Sequence, residues 1–381
     1  MSLTVDTKKN ISLGNRRMLI ANVDFDSSYP AGGESFDYTA YGFVNVDSVV
    51  VPSHAGYSFE YDYTNKKIKA FAPAPPIVYE EQHTIASNAI TLDYPAAAIL
   101  QIATATQSQM LIEPSDTMAA NECQLAAAMA WGTRPTINFH ASTSGAVKVT
   151  YITQAWKEVW DNRNASADFS TTSHVADLED TICFIESMCT YDTSGAVVTS
   201  LSKFIRGGDA SAAGECEVDW SDSGAGTAGD TTLTFAAGDA VTDIKLTYIS
   251  LPASGFLKNR FLEDQDTTMS SGSGTAAYPL LFQGVCNQLP DYTAANERDP
   301  HHLMMPEGDA LGTSGECAID WHKITTVAGH QIRLNDTTSD AISLTYVYGY
   351  PHEIPGLVPL EVKNASNLSS LANVRVEIIG V

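Results

Sequence analysis

Apolar and polar residues alternate with a period of two in many short stretches of this chain, which is typical of half-buried β-strands. The clearest stretch is GYSFEYDYTNKKIKAFA, residues 56–72, in which polar residues separate four aromatic residues. Asn65 tolerates the backbone of a tight turn, and residues 67–71 can return as the partner strand. The aromatic residues share one side of the predicted hairpin: Tyr57, Phe59, Tyr61 and Tyr63.

An aromatic face on a hairpin is more often half of a small core than a platform for sugars. We therefore predict that this hairpin is buried, either within the fold or under a neighbouring chain. Upstream, residues 43–51 (FVNVDSVVV) form another strand candidate because they are rich in β-branched residues. At the other end of the chain, Val374, Val376 and Ile378 alternate as in a last strand. Such a strand, if it lies at an edge, can pair within the fold or with another chain.

An internal repeat governs the predicted architecture. Three segments share a Thr-Tyr core, with tyrosines spaced 97 and 98 residues apart: AVKVTYIT (146–153), DIKLTYIS (243–250) and AISLTYVY (341–348). A shorter strand-like run precedes each of them: TINF (136–139), TLTF (232–235) and IRLN (332–335). The later two copies also share GECEVDW (214–220) and GECAIDW (315–321). The pattern indicates two good copies and one partial copy of a unit near a hundred residues long.

Short strands separated by Gly-, Ser- and Asp-rich turns predict a mainly β protein built from tandem β-sandwich or jelly-roll-like modules. Cys189 and Cys286, like Cys216 and Cys317, sit at matching places, which favours packing over reactivity. Trp220 and Trp321 end matching strands, which favours core packing for them too. The predicted units are an N-terminal segment (1–90), a partial first repeat (91–153), two duplicate modules (154–251 and 252–351) and a C-terminal tail (352–381).

Helix signals are confined to two places, so we predict one or two short helices. Residues 115–132 have a Ser or Asp cap, an alanine-rich body and a glycine stop at Gly132. Residues 153–162 place Trp156 and Trp160 one helical turn apart.

Composition narrows the function classes. The chain has 45 acidic and 21 basic side chains, a formal net charge of -24, which argues against binding to nucleic acid or to anionic lipid. The first residues lack the apolar core of a signal peptide, and no window reaches the length of a membrane span. We therefore expect synthesis in a reducing cytosol, with the six cysteines as buried small hydrophobes.

Candidate chemistry is sparse. The run GAGTAG (224–229) matches a dinucleotide fingerprint, but a turn precedes it and a strand follows, so we interpret it as a loop. His301 and His302 are neighbours, which makes a poor chelate on a strand. An Asp-rich region could hold calcium, but solvated turn carboxylates are the simpler interpretation: Asp219, Asp222 and Asp230. No metal or cofactor is predicted, and whether these loops bind a metal is left open.

The nearest approach to paired carboxylates is the Glu80–Glu81–Gln82–His83 run, together with Glu158 and Asp161. Glycosidase chemistry needs two carboxylates facing each other across a groove, and so acidic a chain produces neighbouring acids freely. Because nucleophile-elbow, zinc-protease and P-loop motifs are also absent from the sequence, we predict that the protein is not an enzyme.

Two runs resemble segments of virion structural proteins of tailed bacteriophages. One is GYSFEYDYTNKKIKAF (56–71) after GFVNVDSVVV, and the other is VTYITQAWKEVWDN (149–162); together they cover about a tenth of the chain. The resemblance implies a capsid or capsid-associated protein folded as β modules, with no enzymatic site to carry over.

The strong negative charge suits the exterior of a shell better than its DNA-facing interior. The resulting hypothesis is a decoration (cement) protein on the capsid exterior, assembled in the host cytoplasm. Its partners would be the major capsid protein and copies of itself, with a homotrimer preferred by analogy. The predicted contact residues are Tyr57, Phe59, Tyr61, Tyr63, Val374, Val376 and Ile378. A tail or head-completion component and a carbohydrate-binding protein that uses Trp220, Trp321 or the hairpin aromatics are the alternatives.

Overall fold

The computed structural model describes residues 3–106, 108–114, 118–165, 168–178, 180–196, 203–206, 215–220, 231–238, 241–288, 297–298, 304–305, 317–324, 329–334, 341–363 and 365–381. Within these residues the chain is mainly β, with one α-helix and several antiparallel sheets, as predicted.

The first strands are β1 (Thr4–Leu13), β2 (Arg16–Asp24), β3 (Glu34–Ser35), β4 (Val46–Val50), β5 (Ser58–Asp62) and β6 (Lys67–Pro73). The next seven are β7 (Ile77–Ile85), β8 (Ala89–Thr91), β9 (Ala96–Thr104), β10 (Met110–Ile112), β11 (Glu122–Leu125), β12 (Thr136–Phe139) and β13 (Gly145–Thr153). They are followed by β14 (Arg163–Asn164), β15 (Asp168–Ser170), β16 (Val175–Asp177), β17 (Ile182–Tyr191), β18 (Lys203–Arg206), β19 (Glu215–Asp219), β20 (Thr232–Phe235) and β21 (Asp243–Ser250).

The last strands are β22 (Phe261–Ser270), β23 (Ser273–Thr275), β24 (Leu280–Gln288), β25 (Glu297–Arg298), β26 (Met304–Met305), β27 (Cys317–Ile324), β28 (His330–Leu334), β29 (Ala341–Tyr348), β30 (Pro359–Glu361) and β31 (Val374–Gly380). The helix α1 spans Lys157–Asp161, and single 3-10 turns span Tyr38–Tyr41, Leu257–Asn259 and Pro351–Glu353.

Residues 77–153, 163–250 and 261–348 form three modules with one topology. Seven strands recur in every module and are counted here from first to seventh; β15 and β25 are additional strands of the second and third modules. In each module the last of the seven lies between the first and third, giving the orders β7-β13-β9, β14-β21-β17 and β22-β29-β24. A second set of four strands in each module has a parallel pair, followed by the sixth and second strands: β10-β11-β12-β8, β18-β19-β20-β16 and β26-β27-β28-β23. In the second module β15 extends this set beside β16, and in the third module the pairing of β22 with β23 joins both sets into one sheet. The chain therefore contains three complete copies, and the first begins at Ile77 rather than at residue 91.

A shared irregularity shows how closely the three copies correspond. The third strand of each module carries one extra residue opposite the Thr-Tyr step of the last strand: Leu100, Glu186 and Gly284. A bulge of this kind bends a strand and increases its twist, so the three sheets are shaped alike.

The prediction of a helix over residues 115–132 is wrong where the structure describes this segment. Residues 122–125 form β11, which pairs with β10 on one side and β12 on the other. Sheet pairing of Glu122–Leu125 has prevailed over the helical propensity of the alanines that flank it, which is only a weak local preference. The second predicted helix is confirmed as α1, but it is shorter than residues 153–162 because Trp156 is its N-terminal cap.

The cysteine correspondence differs from the predicted one. Cys123, Cys216 and Cys317 occupy equivalent positions, because each pairs with the end of the sixth strand of its module. The residue equivalent to Cys286 is Met188, one position before Cys189, since these two face equivalent leucines of the last strands. The four cysteines whose side chains are described are buried free thiols, as expected for packing: Cys123, Cys183, Cys189 and Cys216.

The two ends of the chain share one core, although the sequence suggests separate units. We call residues 3–73 and 359–381 the terminal domain. Its first sheet has the order β1-β2-β31-β4, and its second contains β3, β6 and β30 with β5 paired to β6. The predicted hairpin is confirmed as β5 and β6, which pair from Ser58↔Phe71 to Asp62↔Lys67.

The three modules close into a ring within the single chain. The fourth strand of each module contacts the third strand of the next, in cyclic order: β10 against β17, β18 against β24, and β26 against β9. Head-to-tail contacts that return to the starting unit close a ring rather than extend a filament. The chain thus has an internal pseudo-threefold axis.

Equivalent side chains meet on this axis in what we call the central core. The third strands contribute Ala98, Phe184 and Phe282, and the last strands contribute their register partners, Ile152, Ile249 and Val347. Phe184 and Phe282 pack edge to face with ring centroids 5.6 Å apart. Trp156 adds a third large ring, 5.9 Å from Phe282.

We expect Phe282→Ala to lower the free energy of unfolding by about 3–5 kcal/mol, because it leaves a cavity where all three modules meet. The measurement is urea denaturation followed by tryptophan fluorescence. Val44→Ala, at a side chain that is 78% exposed, is the control and should change stability by about 0.5 kcal/mol or less. Equal losses in the two variants would contradict the role of the central core.

Candidate interaction surfaces and buried polar clusters

Three of the four hairpin aromatics pack inside the terminal domain. The Tyr61 side chain is buried, and its hydroxyl donates a hydrogen bond to the Phe36 carbonyl oxygen at 2.9 Å. Burial raises the pKa of Tyr61 well above its usual range. Tyr57 and Phe59 are half-buried against the same core, and Phe59 stacks on Phe25. The prediction that Tyr61 contacts another chain is therefore wrong, since its own domain covers it.

Tyr63 is the hairpin aromatic that reaches the surface, with half of its side chain exposed. Its hydroxyl accepts a hydrogen bond from the Val49 N–H at 2.9 Å, so it caps part of the free edge of β4. Three exposed apolar residues lie on or beside this strand: Val44, Val50 and Val381. We call this set, with Tyr63, the β4 edge; it is an exposed, mainly apolar surface of the terminal domain.

The C-terminal strand is not an edge strand. β31 lies between β2 and β4, and the side chains of Val374, Val376 and Ile378 are fully buried. The prediction that these three residues contact another chain is wrong, because both neighbouring positions in the sheet are filled from within the chain.

The boundary between the first and second modules holds a buried polar cluster. Arg163 forms an ion pair with Glu186, whose side chain is fully buried at the bulge of β17. The other Glu186 oxygen accepts a hydrogen bond from the Ile99 N–H of the first module at 2.7 Å. Glu113, which follows β10 of the first module, accepts hydrogen bonds from the Ser187 and Thr247 hydroxyls of the second.

Burial lowers the pKa of the Arg163 guanidinium to about 10, against the opposing field of Glu113, so the group stays charged at neutral pH. A cavity of about 320 Å³ lies beside it, walled mainly by apolar side chains that include Leu111, Met129 and Trp160. Charged groups at a boundary are satisfied in only one arrangement, which favours one relative placement of the two modules.

The cluster breaks the threefold symmetry of the ring. Arg163 stands where the other modules have Ile77 and Phe261, and Glu186 stands where they have Leu100 and Gly284. The boundary between first and second modules is thus chemically distinct from its two counterparts. Each residue alone looks ordinary in the sequence, and only a comparison of the bulge positions across the three copies would have found the pair.

A second network joins the first module to the terminal domain. The Tyr151 hydroxyl donates to Glu81 at 2.6 Å, and the other Glu81 oxygen contacts His83 and accepts from the Asp93 N–H. Asp93 in turn pairs with Lys363 at 2.7 Å. Burial alone would raise the pKa of Glu81, but these hydrogen bonds outweigh it and leave that pKa lowered. The hydrogen bond to Glu81 raises the pKa of His83.

The predicted carboxylate pairs are not brought together as catalytic pairs. Glu81 is engaged as described, while Glu80 lies 3.9 Å from Lys148. Glu158 accepts a hydrogen bond from the Leu257 N–H at 3.1 Å, and Asp161 pairs with Lys157 along α1. These groups bind parts of the chain to each other.

Among the described residues, no cluster of three or more His, Cys, Asp or Glu side chains is arranged to hold a metal ion. Several predicted candidates lie outside the described residues, namely the 224–229 run, Asp222, Asp230, His301 and His302. Trp220 and Trp321 are buried in the cores of the second and third modules, which confirms the packing interpretation. Trp321 also packs on Tyr79 of the first module, with centroids 4.9 Å apart.

No protein family, curated protein sequence or solved structure matches this chain. Within the part of the chain that the structure describes, no helix has the length and apolar content that crossing a membrane requires.

The buried ion pair can be tested by comparing a single variant with a double variant. Glu186→Leu should lower the free energy of unfolding by about 3–5 kcal/mol, because Arg163 is left as an unpaired buried charge. The double variant Arg163→Ile/Glu186→Leu copies the residues of the first module and should be more stable than the single variant. Urea denaturation measures both, and a double variant less stable than Glu186→Leu would contradict the pairing.

The pair Glu81 and His83 predicts a pH-dependent stability. The lowered pKa of Glu81 gives a contribution present above its unfolded pKa of about 4.3 and lost as the pH falls through the folded value. The raised pKa of His83 gives a contribution present below about pH 6.5 and lost as the pH rises through the folded value. His83→Gln should therefore lower the melting temperature more at about pH 5.5 than at about pH 9.

Thermal melting at both pH values measures this effect, with His54→Gln, in a turn of the terminal domain, as the matched control. If His83→Gln costs the same at both pH values, the histidine does not stabilise the fold through its charge.

Proposed function

We propose that the protein is a structural component of a tailed-bacteriophage virion, binding the outer surface of the capsid and stabilising it. The observation that carries the proposal is the closed ring of three equivalent modules. A ring of this kind repeats one surface three times around an axis. A symmetric shell presents identical subunits around its threefold axes, so the two symmetries match. The resemblance of residues 56–71 and 149–162 to phage virion proteins supports the same function.

Charge supports the exterior location over the interior. A formal net charge of -24 opposes the phosphates of packaged DNA. The same charge keeps a protein soluble at the high local concentration that assembly on a shell requires. The partner on the shell would be the major capsid protein, contacted through many shallow contacts whose sum is strong although each is weak.

A tail or head-completion component is the second candidate, because rigid β modules in a ring suit that location as well. Trp220 and Trp321, which the carbohydrate-binding alternative would use, are buried in module cores and are not available to a sugar. Tyr63 is the aromatic that remains exposed on the hairpin face.

The test is to mix the purified full-length chain with empty capsids of a candidate phage, before and after expansion, and to sediment the mixtures. We expect saturable binding at a stoichiometry set by the shell symmetry, together with a rise in the melting temperature of the shell. Failure to bind either shell, with the protein located on tails by immunogold labelling, would replace decoration by the tail function.

A further inference from the structure

The chain enters and leaves every module at the same side of the ring. The first and last strands of each module pair antiparallel, and the pairs nearest their outer ends are Ile77↔Ile152, Arg163↔Ile249 and Phe261↔Val347. The linkers that follow the last strands, residues 154–162, 251–260 and 349–358, therefore all lie on one side, which we call the linker face. The opposite side, which we call the loop face, carries the turns at the other ends of these strands.

The linker face is asymmetric, because the three linkers contact one another in different ways. Trp156 of the first linker packs edge to face on Phe256 of the second, with centroids 5.8 Å apart. Arg260 of the second linker pairs with Glu353 of the third at 3.3 Å. The third linker then bonds to the first, because the Val358 N–H donates to the Ala155 carbonyl oxygen, and it continues into the terminal domain. A threefold-symmetric partner would meet three different chain segments on this side.

In the part of the chain that the structure describes, the loop face presents the three modules without an added domain. Each module has a described turn on this face, although the three turns join different strands: residues 140–144 precede β13, 192–196 follow β17, and 270–272 join β22 to β23. Their exposed residues are small and mostly polar: Ala141, Ser142, Ser144, Thr193, Ser194, Gly195, Ala196, Ser270 and Ser271. Such side chains suit shallow, hydrated contacts with a polar protein surface.

From this geometry, and resting on the proposed function, we infer that one copy of the chain binds on one threefold axis of the shell through its loop face. Each module then meets one of three identical shell subunits, and the terminal domain points away from the shell. One chain makes three contacts while losing rigid-body freedom only once, so weak contacts sum to firm binding. The three modules of one chain then provide the threefold symmetry for which the sequence analysis predicts a homotrimer.

The first measurement is the number of chains per shell, from quantitative gel densitometry and symmetry-averaged electron microscopy of saturated capsids. The inference predicts one chain for every three shell subunits around each occupied axis, and a monomer of 40.8 kDa in solution by light scattering. Three chains around each axis, or chains located away from threefold axes, would overturn the inference and leave the proposed function standing.

The second measurement maps the docking face with one charge change placed at different positions. Ala141→Arg and Thr193→Arg alter the loop face on two modules, while Ser254→Arg on the linker face and Val50→Arg on the β4 edge are matched controls. All four sites are exposed. We expect the loop-face variants to weaken capsid binding about tenfold or more, and the controls to bind as the unaltered chain does. Thermal melting of each variant confirms that it is folded.

Loss of binding in Val50→Arg or Ser254→Arg alone would assign docking to another face and overturn the inference. If the unaltered chain binds no shell at all, the proposed function fails and the inference fails with it. The two failures are therefore distinguishable.

Discussion

The structure depends on the pairing of three Thr-Tyr strands, β13, β21 and β29, each held between the first and third strands of its module. At and after the Thr-Tyr step each strand is largely buried on both faces, because one face packs into its own module and the other contributes to the central core. A slip of one residue in any of them would exchange the two faces. In each of the three modules, the bulge beside the Thr-Tyr step fixes the register of the last strand.

Much of the fold follows from local patterns in the sequence. The Thr-Tyr strands, the hairpin of β5 and β6, and the strand β31 were predictable because alternation records which side of a strand is buried. The first copy was predicted to be partial because β11 of its second sheet lies between alanine-rich segments, at 119–120 and 126–128, which favour a helix in isolation. Only the sheet partners on both sides of Cys123 reveal it as a strand, and those partners are distant in sequence.

The candidate surfaces were harder to predict, because exposure depends on which elements meet. Alternation shows that Tyr61 and Val376 lie on the apolar faces of their strands. It does not show whether those faces are covered by the same chain or by another molecule. The ion pair of Arg163 and Glu186 is the converse case, in which residues that look exposed from the sequence are buried. Two charged residues in strands are expected at the surface, and only the closed ring places them at a largely buried boundary between modules.

The terminal domain takes β1 to β6 from the start of the chain and β30 and β31 from its end. More than three hundred further residues are therefore synthesised after β1 and β2 before β31 can complete their sheet. Until β31 arrives, β2 presents an unpaired edge, which is a site for association between nascent chains. Contacts this distant in sequence form slowly, so completion of this domain is expected to be the last step of folding. A chain that ends before β31 lacks the strand that pairs with β2. Such a product would therefore differ from the 381-residue chain by an exposed sheet edge.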